Sequence, residues 1–446
     1  MKDMTKGSPM KVILSFAIPM ILSGLLQQCY NIADSIIAGQ YAGVNALAAV
    51  GVSNPITALF VGLGTGAGMG CSVVISQLFG AKQMGRVKTS IFTALLSFVA
   101  MSLVLMLIGG GLAGQIAIWL NTPDNIYSDA VSYLRIYMWG LPFLFLYNIA
   151  NAIFNALGDS KKPLCFLIFS TFFNIALDIV FVAKLGWGVA GVAWATFIAQ
   201  GLASLLAISV LLLKVHGIKA PFQYFDKELL RGMSKVGVPT MFQMSVVSIG
   251  SLFVQALVNS NGSDFIAGYS AALKINGFFT VVITTLGSAV STFSAQNVGA
   301  GQMDRPGQGL KAGMTINLIY VACAIVVVFC FGEPLIGLFV DETASAAVYE
   351  TGTGYLHVVT TASLFFVVLN NTCAVCRGAG YVVASTSTTF VDLVIRVASA
   401  YALSGVLGSS SVYWSVAFGW LVGAVMGAYF YLNGKWKTVK LIRDKA

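Results

Sequence analysis

Two aspartates, Asp34 and Asp178, stand inside apolar runs, and the residues around them are of a kind that binds small cations. In Gln27-Gln28-Cys29-Tyr30-Asn31-Ile32-Ala33-Asp34, the residues Gln27, Tyr30, Asn31 and Asp34 follow the i, i+3, i+4 spacing that lines one face of a helix. Asn174 lies one helical turn before Asp178, and Thr196 follows after Gly186-Trp187-Gly188-Val189-Ala190-Gly191, a run whose small residues let helices approach closely. A carboxylate at bilayer depth costs about 2.5–3.5 kcal/mol even on the mildest scale, so it must be protonated, paired or wetted. No lysine or arginine in the first half of the chain lies at the same depth to neutralise these acids. Two carboxylates, an amide, a hydroxyl and a phenol suit a hard monovalent cation or a proton. Two acids brought together also raise each other's proton affinity. The competing reading is a polar cluster that only joins helices.

The other charges within apolar runs are easier to account for. Asp392 and Arg396 are four residues apart with the acid first, so they can pair on one helix, as a structural or gating element. Lys274 and Arg135 lie near span ends, where long side chains reach water. Enzymatic chemistry finds no constellation. The only histidines are His216 and His357, and Cys373-Ala374-Val375-Cys376 sits in an apolar run without a second ligand pair. We expect no enzyme, no cofactor and no resident metal, with Na+ admissible only as a passing ion at Asp34, Asn174, Asp178 and Thr196.

The elements that position these residues follow from composition. With 57% hydrophobic and 9% charged residues in 446, and a mean hydropathy of +0.85, the chain has too little polar surface for water. Runs long enough for a roughly 30 Å hydrocarbon core, at about 20 residues each, give about twelve spans. They fall at 12–37, 52–77, 90–110, 130–157, 163–183, 190–213, 235–258, 266–294, 312–332, 353–376, 382–405 and 412–432. Lipid offers backbone amides no partner, and strand alternation is absent, so the expected fold is an all-α integral membrane protein.

The chain also repeats itself. Gly80-Ala81-Lys82-Gln83-Met84-Gly85-Arg86 returns as Gly299-Ala300-Gly301-Gln302-Met303-Asp304-Arg305, Gln77 precedes one and Gln296 the other, and Pro19 is matched by Pro239. This is a duplication with a period of about 220 residues. It predicts two six-helix lobes, residues 1–215 and 235–446, joined by a polar linker at 216–234 whose later part reads as a short interfacial helix. Where the first half has Asp34 and Asp178, the second has Val254 and Ala400, so the acidic site belongs to one lobe. Pro19 and Pro239 either start their spans or bend them; their apolar surroundings favour a bend.

Lysine and arginine cluster on alternate connections, among them Lys82, Arg86, Lys161, Lys162, Lys219, Arg305 and the tail with Arg443 and Lys445. The opposite connections carry Asp124, Asp264, Glu333, Asp341 and Glu342. By the positive-inside rule both termini are cytoplasmic, in the inner (plasma) membrane, and the repeats are parallel. The net charge of +9 is thereby explained, and no nucleic-acid partner is expected.

Several motifs in order carry a resemblance. Ile18-Pro19, Tyr30-Asn31-Ile32-Ala33-Asp34, Ala46-Leu47-Ala48-Ala49-Val50-Gly51, Asn155-Ala156-Leu157-Gly158-Asp159-Ser160-Lys161-Lys162-Pro163, Asn174-Ile175-Ala176-Leu177-Asp178 and Gly188-Val189-Ala190-Gly191-Val192-Ala193-Trp194-Ala195-Thr196 resemble the multidrug and toxic compound extrusion (MATE) family, as does Ala295-Gln296-Asn297-Val298-Gly299-Ala300. The resemblance spans the whole chain. It implies a monomeric secondary antiporter that exports organic, mostly cationic or amphiphilic compounds by alternating access, driven by H+ or Na+. The matching ion-site residues are Asp34, Asn174, Asp178 and Thr196, with Tyr30 and Asn31 beside them and Pro19 as the bending proline. One subgroup of the family has further acids on the seventh and tenth spans, where this chain has Gln243, Gln255, Asn370 and Asn371. Met69, Phe154, Phe278 and Phe279 are candidates for apolar substrate contact. The partners implied are a small-molecule substrate and membrane lipid. The rival reading is a flippase for lipid-linked oligosaccharides, which calls for cations facing the cavity.

Overall fold

The computed structural model describes residues 2–340 and 344–441, so Asp341, Glu342, Arg443 and Lys445 lie outside the described residues. Helices account for nearly all of it: α1 (Pro9–Ile37), α2 (Val44–Gly80), α3 (Met84–Trp119), α4 (Asp124–Trp139), α5 (Leu141–Ala156), α6 (Lys161–Asp178), α7 (Gly188–His216), α8 (Lys227–Asn259), α9 (Ser263–Gly299), α10 (Arg305–Gly337), α11 (Ala346–Gly378), α12 (Val382–Ala402), the short α13 (Ser404–Leu407) and α14 (Ser411–Leu432). Among the described residues, eleven helices are long and apolar enough to cross a membrane. The pair α4–α5, bent by 48° at its break, makes a twelfth as one span.

That break corrects the unbroken 130–157 span. Gly140 separates the two helices, and Pro142 stands in the first turn of α5. Proline has no N–H to offer the carbonyl four residues back, so a straight helix through Met138 would lose a bond there. The Gly140 amide instead closes the end of α4 on the Ile136 and Tyr137 carbonyls, at 3.1 and 3.0 Å. A second correction concerns the linker: no separate interfacial helix forms. Asp226 Oδ1 accepts from the Glu228 and Leu229 amides at 2.8 and 3.1 Å, capping α8 at Lys227, and Leu229 and Met233 are buried in its first turns.

The duplication is visible in the backbone. In the α2–α3 turn, Ala81 N donates to Gln77 O, Lys82 N to Phe79 O and Gln83 N to Leu78 O; in the α9–α10 turn, Ala300, Gly301 and Gln302 make the same bonds to Gln296, Val298 and Asn297. Both turns need a left-handed residue. The second half supplies Gly301 at φ 75°, whereas the first places Lys82 at φ 59°, where a Cβ is crowded.

The chain forms two compact units whose borders differ from those of the repeats: Leu22–Met241 with the residues before Met4, and Met4–Ile21 with the chain from Phe242 on. Close packing explains where the head of α8 belongs. Gly66 and Gly70 on α2 leave no room for a Cβ against the backbone of Met241 and Gly237, so the two helices meet at backbone distance within the first unit. In the second unit the core runs along α9, α11 and α14, through Tyr269, Tyr355, Leu356, Tyr413 and Trp420. Pro19 and Pro239 stand well inside α1 and α8 rather than at their first turns.

Candidate functional site

Within the first unit, the acid-bearing stretches of α1 and α6 come together. The Asp34 and Asp178 carboxyls stand within hydrogen-bond reach of one another. Ionised carboxylates are acceptors only and repel one another, so neighbouring acids favour a proton or a cation between them. Asn174 is 2% exposed and joins the cluster's parts. Its amide nitrogen donates to Asp178 Oδ2 at 2.8 Å and to the Tyr30 hydroxyl at 3.3 Å, while its oxygen accepts from the Thr196 backbone N–H at 3.2 Å. The Tyr30 hydroxyl also meets the Thr196 side chain. Among the described residues, none donates to the buried Asp34 Oδ1 or Asp178 Oδ1.

Local backbone geometry positions both acids. Asp178 is the last residue of α6 and is followed at once by a π-helical segment, Ile179–Lys184; Asp34 precedes another, Ala38–Ala42, by one turn. Such widened turns are rare and recur at functional sites. Neither could be read from the sequence pattern.

A cavity of about 660 Å³ opens onto this cluster. Asp34, Asn174, Tyr30 and Thr196 line it, whereas Asp178 is fully buried, is not among the lining residues and is bonded by Asn174. Asn31 is on the wall, accepting from Gln27 Nε2 at 3.3 Å. The broken span contributes residues that sequence reasoning missed: Tyr133, Tyr137, Tyr147 and Asn148. The Tyr133 and Tyr137 rings stack at 6.3 Å, and the Tyr137 hydroxyl donates to Thr57 O at 3.3 Å. Their four-residue spacing and the Gly140-Leu141-Pro142 break were the available signals. No lysine or arginine is among the described residues that line the cavity.

The other candidates stand each within its own unit. Met69, Phe154, Phe278 and Phe279 do not line the cavity; Phe154 is fully buried against Phe166, and Phe279 packs on the core of the second unit. In the second unit, Arg396 NH2 reaches both Asp392 oxygens, at 3.1 and 3.3 Å, and the guanidinium lies over Trp420. Gly419 lets α14 approach Asp392, for a Cβ there would strike its carboxylate. Lys274 is exposed, with its ammonium 5.7 Å from the Phe339 ring centre. Val254 and Ala400, opposite the acids in the repeat, are buried.

Comparison with known proteins agrees with this architecture. The MatE family model matches residues 19–180 and again 239–402, once in each half. The probable multidrug resistance protein YoeA of Bacillus subtilis is 32% identical over 351 residues, covering 76% of this chain and 75% of its own. The multidrug export protein MepA of Staphylococcus aureus is 25% identical, over 92% of this chain and 91% of its own. A crystal structure of MATE in complex with MaL6 superposes with a TM-score of 0.92 at 22% identity, covering 98% of this chain and 99% of that one, which establishes the fold. The chain is a multi-pass membrane protein and belongs to the MATE family of transporters.

Proposed function

We propose that this protein is a cation-coupled antiporter of the inner (plasma) membrane that expels organic, mostly cationic or amphiphilic compounds, with coupling at Asp34 and Asp178. The observation that carries the reading is the approach of two carboxyls on two membrane spans, with no lysine or arginine among the described residues that line the cavity at Asp34. Such a site holds a proton or a cation, and a positively charged substrate entering at Asp34 competes with it. Antiport is that competition, exposed alternately to the two sides. The tyrosine faces and amide side chains around Asp34 offer stacking and hydrogen bonds without a rigid shape, which suits substrates of varied structure.

Asp34 and Asp178 have different parts. Asp34 meets the cavity and exchanges ion for substrate; Asp178, buried and bonded by Asn174, retains the ion's second contact. Between the two ions, the amide orientation disfavours Na+ as a direct ligand of Asn174. Asn174 turns its NH2 toward Asp178 and its oxygen toward Thr196, so Na+ would require the amide to rotate before its oxygen became a ligand. A flippase for a pyrophosphate-linked lipid would find no lysine or arginine among the described lining residues to hold its charge. The whole cluster lies in one chain, so a monomer suffices, with both termini cytoplasmic by the distribution of lysine and arginine.

The experiment is reconstitution into liposomes loaded with a cationic dye, with either a pH gradient or a Na+ gradient imposed. Dye movement driven by the pH gradient alone is the expected result. Movement only under the Na+ gradient would replace the proton by Na+, and indifference to both would remove coupling from the account.

A further inference from the structure

The duplicated Gly80–Arg86 and Gly299–Arg305 turns take no part in the ion site, yet each holds a segment that leads into a long helix. At the second turn, the Met4 amide donates to Gln296 Oε1 at 3.0 Å and Asn297 Nδ2 donates to Met4 O at 3.2 Å. Arg305 donates to Gly7 O at 3.0 Å and, through Nε, to Asn297 Oδ1 at 2.7 Å. Met4 is fully buried as a result, although it stands only five residues ahead of α1. Just after the first turn, side chains in the opening turns of α3 hold the chain before α8 in a comparable way. Lys88 Nζ donates to Ile218 O at 3.2 Å, and the Gln223 and Asp226 amides donate to Thr89 and Thr93 Oγ1 at 3.1 and 3.0 Å. Pro221 O passes so close to Gly85 that a Cβ there would meet it at 2.6 Å.

Each clasp therefore holds the root of a helix that belongs, by sequence, to the other repeat. The segment from Met4 to Ile21 lies in the second unit and the rest of α1 in the first; α8 is divided in the reverse sense after Met241. Both divisions fall just beyond a proline, Pro19 or Pro239. We infer that Gln296, Asn297 and Arg305, with Lys88, Thr89 and Thr93 just after the partner turn, are positioning residues that pin the roots of α1 and α8 so that the helices flex at their prolines instead of sliding. A helix with a fixed root and a weakened middle conveys a rearrangement of its far half; one with a loose root dissipates it. The functional half of this inference rests on the transport reading above.

The test pairs amide hydrogen exchange with dye efflux, using the full-length protein in lipid nanodiscs and liposomes. The variants are Arg305→Ala, the milder Gln296→Ala and Arg305→Lys, and the double variant Thr89→Val with Thr93→Val. Exchange in the peptide containing Met4 should quicken about tenfold or more in Arg305→Ala, since bonds to a charged donor are lost, while α9 and α10 stay protected. In the same variant the maximal efflux rate should fall severalfold with the half-saturating dye concentration unchanged, because the cavity is untouched; Arg305→Lys should recover part of the rate. The threonine pair should act alike on the peptide spanning 218–226. Exchange that never quickens would show that these side chains do not hold the segments. Quickened exchange with wild-type efflux would make the clasps structural only. A wild-type protein that moves no dye would sink the transport reading and with it the functional half, while exchange still decides the clasps.

Discussion

Replacing Asn174 with alanine should weaken ion coupling more than it weakens the fold. The side chain is buried and makes three bonds, of which two, to Tyr30 and to the Thr196 amide, involve groups with other partners nearby. The third is the one to Asp178 Oδ2. A hydrogen bond to an ionised group contributes about 1.5–3 kcal/mol. At about 1.4 kcal/mol per factor of ten, that is a fall of roughly 10- to 150-fold in the proton concentration giving half-maximal efflux, because the lost donor had favoured the proton-free carboxylate and the variant releases its proton less readily. The assay is initial dye efflux from proteoliposomes across a series of imposed ion gradients, with thermal unfolding in detergent as the control for folding. Asn174→Asp separates two roles. If Asn174 serves as a donor, an added carboxylate opposes Asp178 and the variant is at least as impaired as Asn174→Ala. If it serves only as an oxygen ligand, Asn174→Asp retains coupling. Unchanged half-saturation in Asn174→Ala, or normal coupling in Asn174→Asp, would refute the donor geometry.

Three further substitutions test other parts of the account. Pro19→Ala restores an N–H to the Ser15 carbonyl, so expression and melting temperature should hold or rise while efflux slows severalfold; unchanged kinetics would take the proline out of the mechanism. Lys82→Gly relieves a left-handed residue at a cost in unfolded-chain entropy, for a net gain of about 0.5–1 kcal/mol read as a higher unfolding midpoint, and a lower midpoint would contradict the strain. Gly419→Ala drives a methyl into Asp392 and should cost about 1–3 kcal/mol; a neutral result would mean that α12 and α14 are not in such close contact.

The spans were legible in the sequence because lipid enforces a simple rule, and the apolar runs from Pro9 to Leu432 obey it. Its exception, the break at Gly140, follows from local chemistry that a hydropathy average conceals. The residues of the proposed site drew attention for the same energetic reason: acids in apolar runs demand an explanation, and Asp34, Asn174, Asp178, Thr196 and Tyr30 are neighbours in the fold. What was illegible depends on contacts between distant segments. Asp178 is fully buried and bonded by Asn174 while Asp34 faces the cavity, a distinction that their similar surroundings in sequence do not draw. Tyr133 and Tyr137 look like ordinary span residues until the bend turns them toward the cluster. The roots of α1 and α8 group with the opposite halves because of hydrogen bonds and glycine contacts that no repeat alignment contains.

The central claim is that coupling resides in two acids of one unit, and gradient-driven efflux by Asp34→Asn and Asp178→Asn proteins measures it most directly. An amide keeps the volume and most of the hydrogen bonding but can neither release a proton nor supply a negative charge. Both variants should fold, bind dye and show no response to an imposed gradient, whereas Val254→Ala and Ala400→Ser, at the matching positions of the second half, should couple as the wild type does. Efflux that remains ion-driven in both asparagine variants would contradict the account and move the search to Lys274, Asp392 and Arg396.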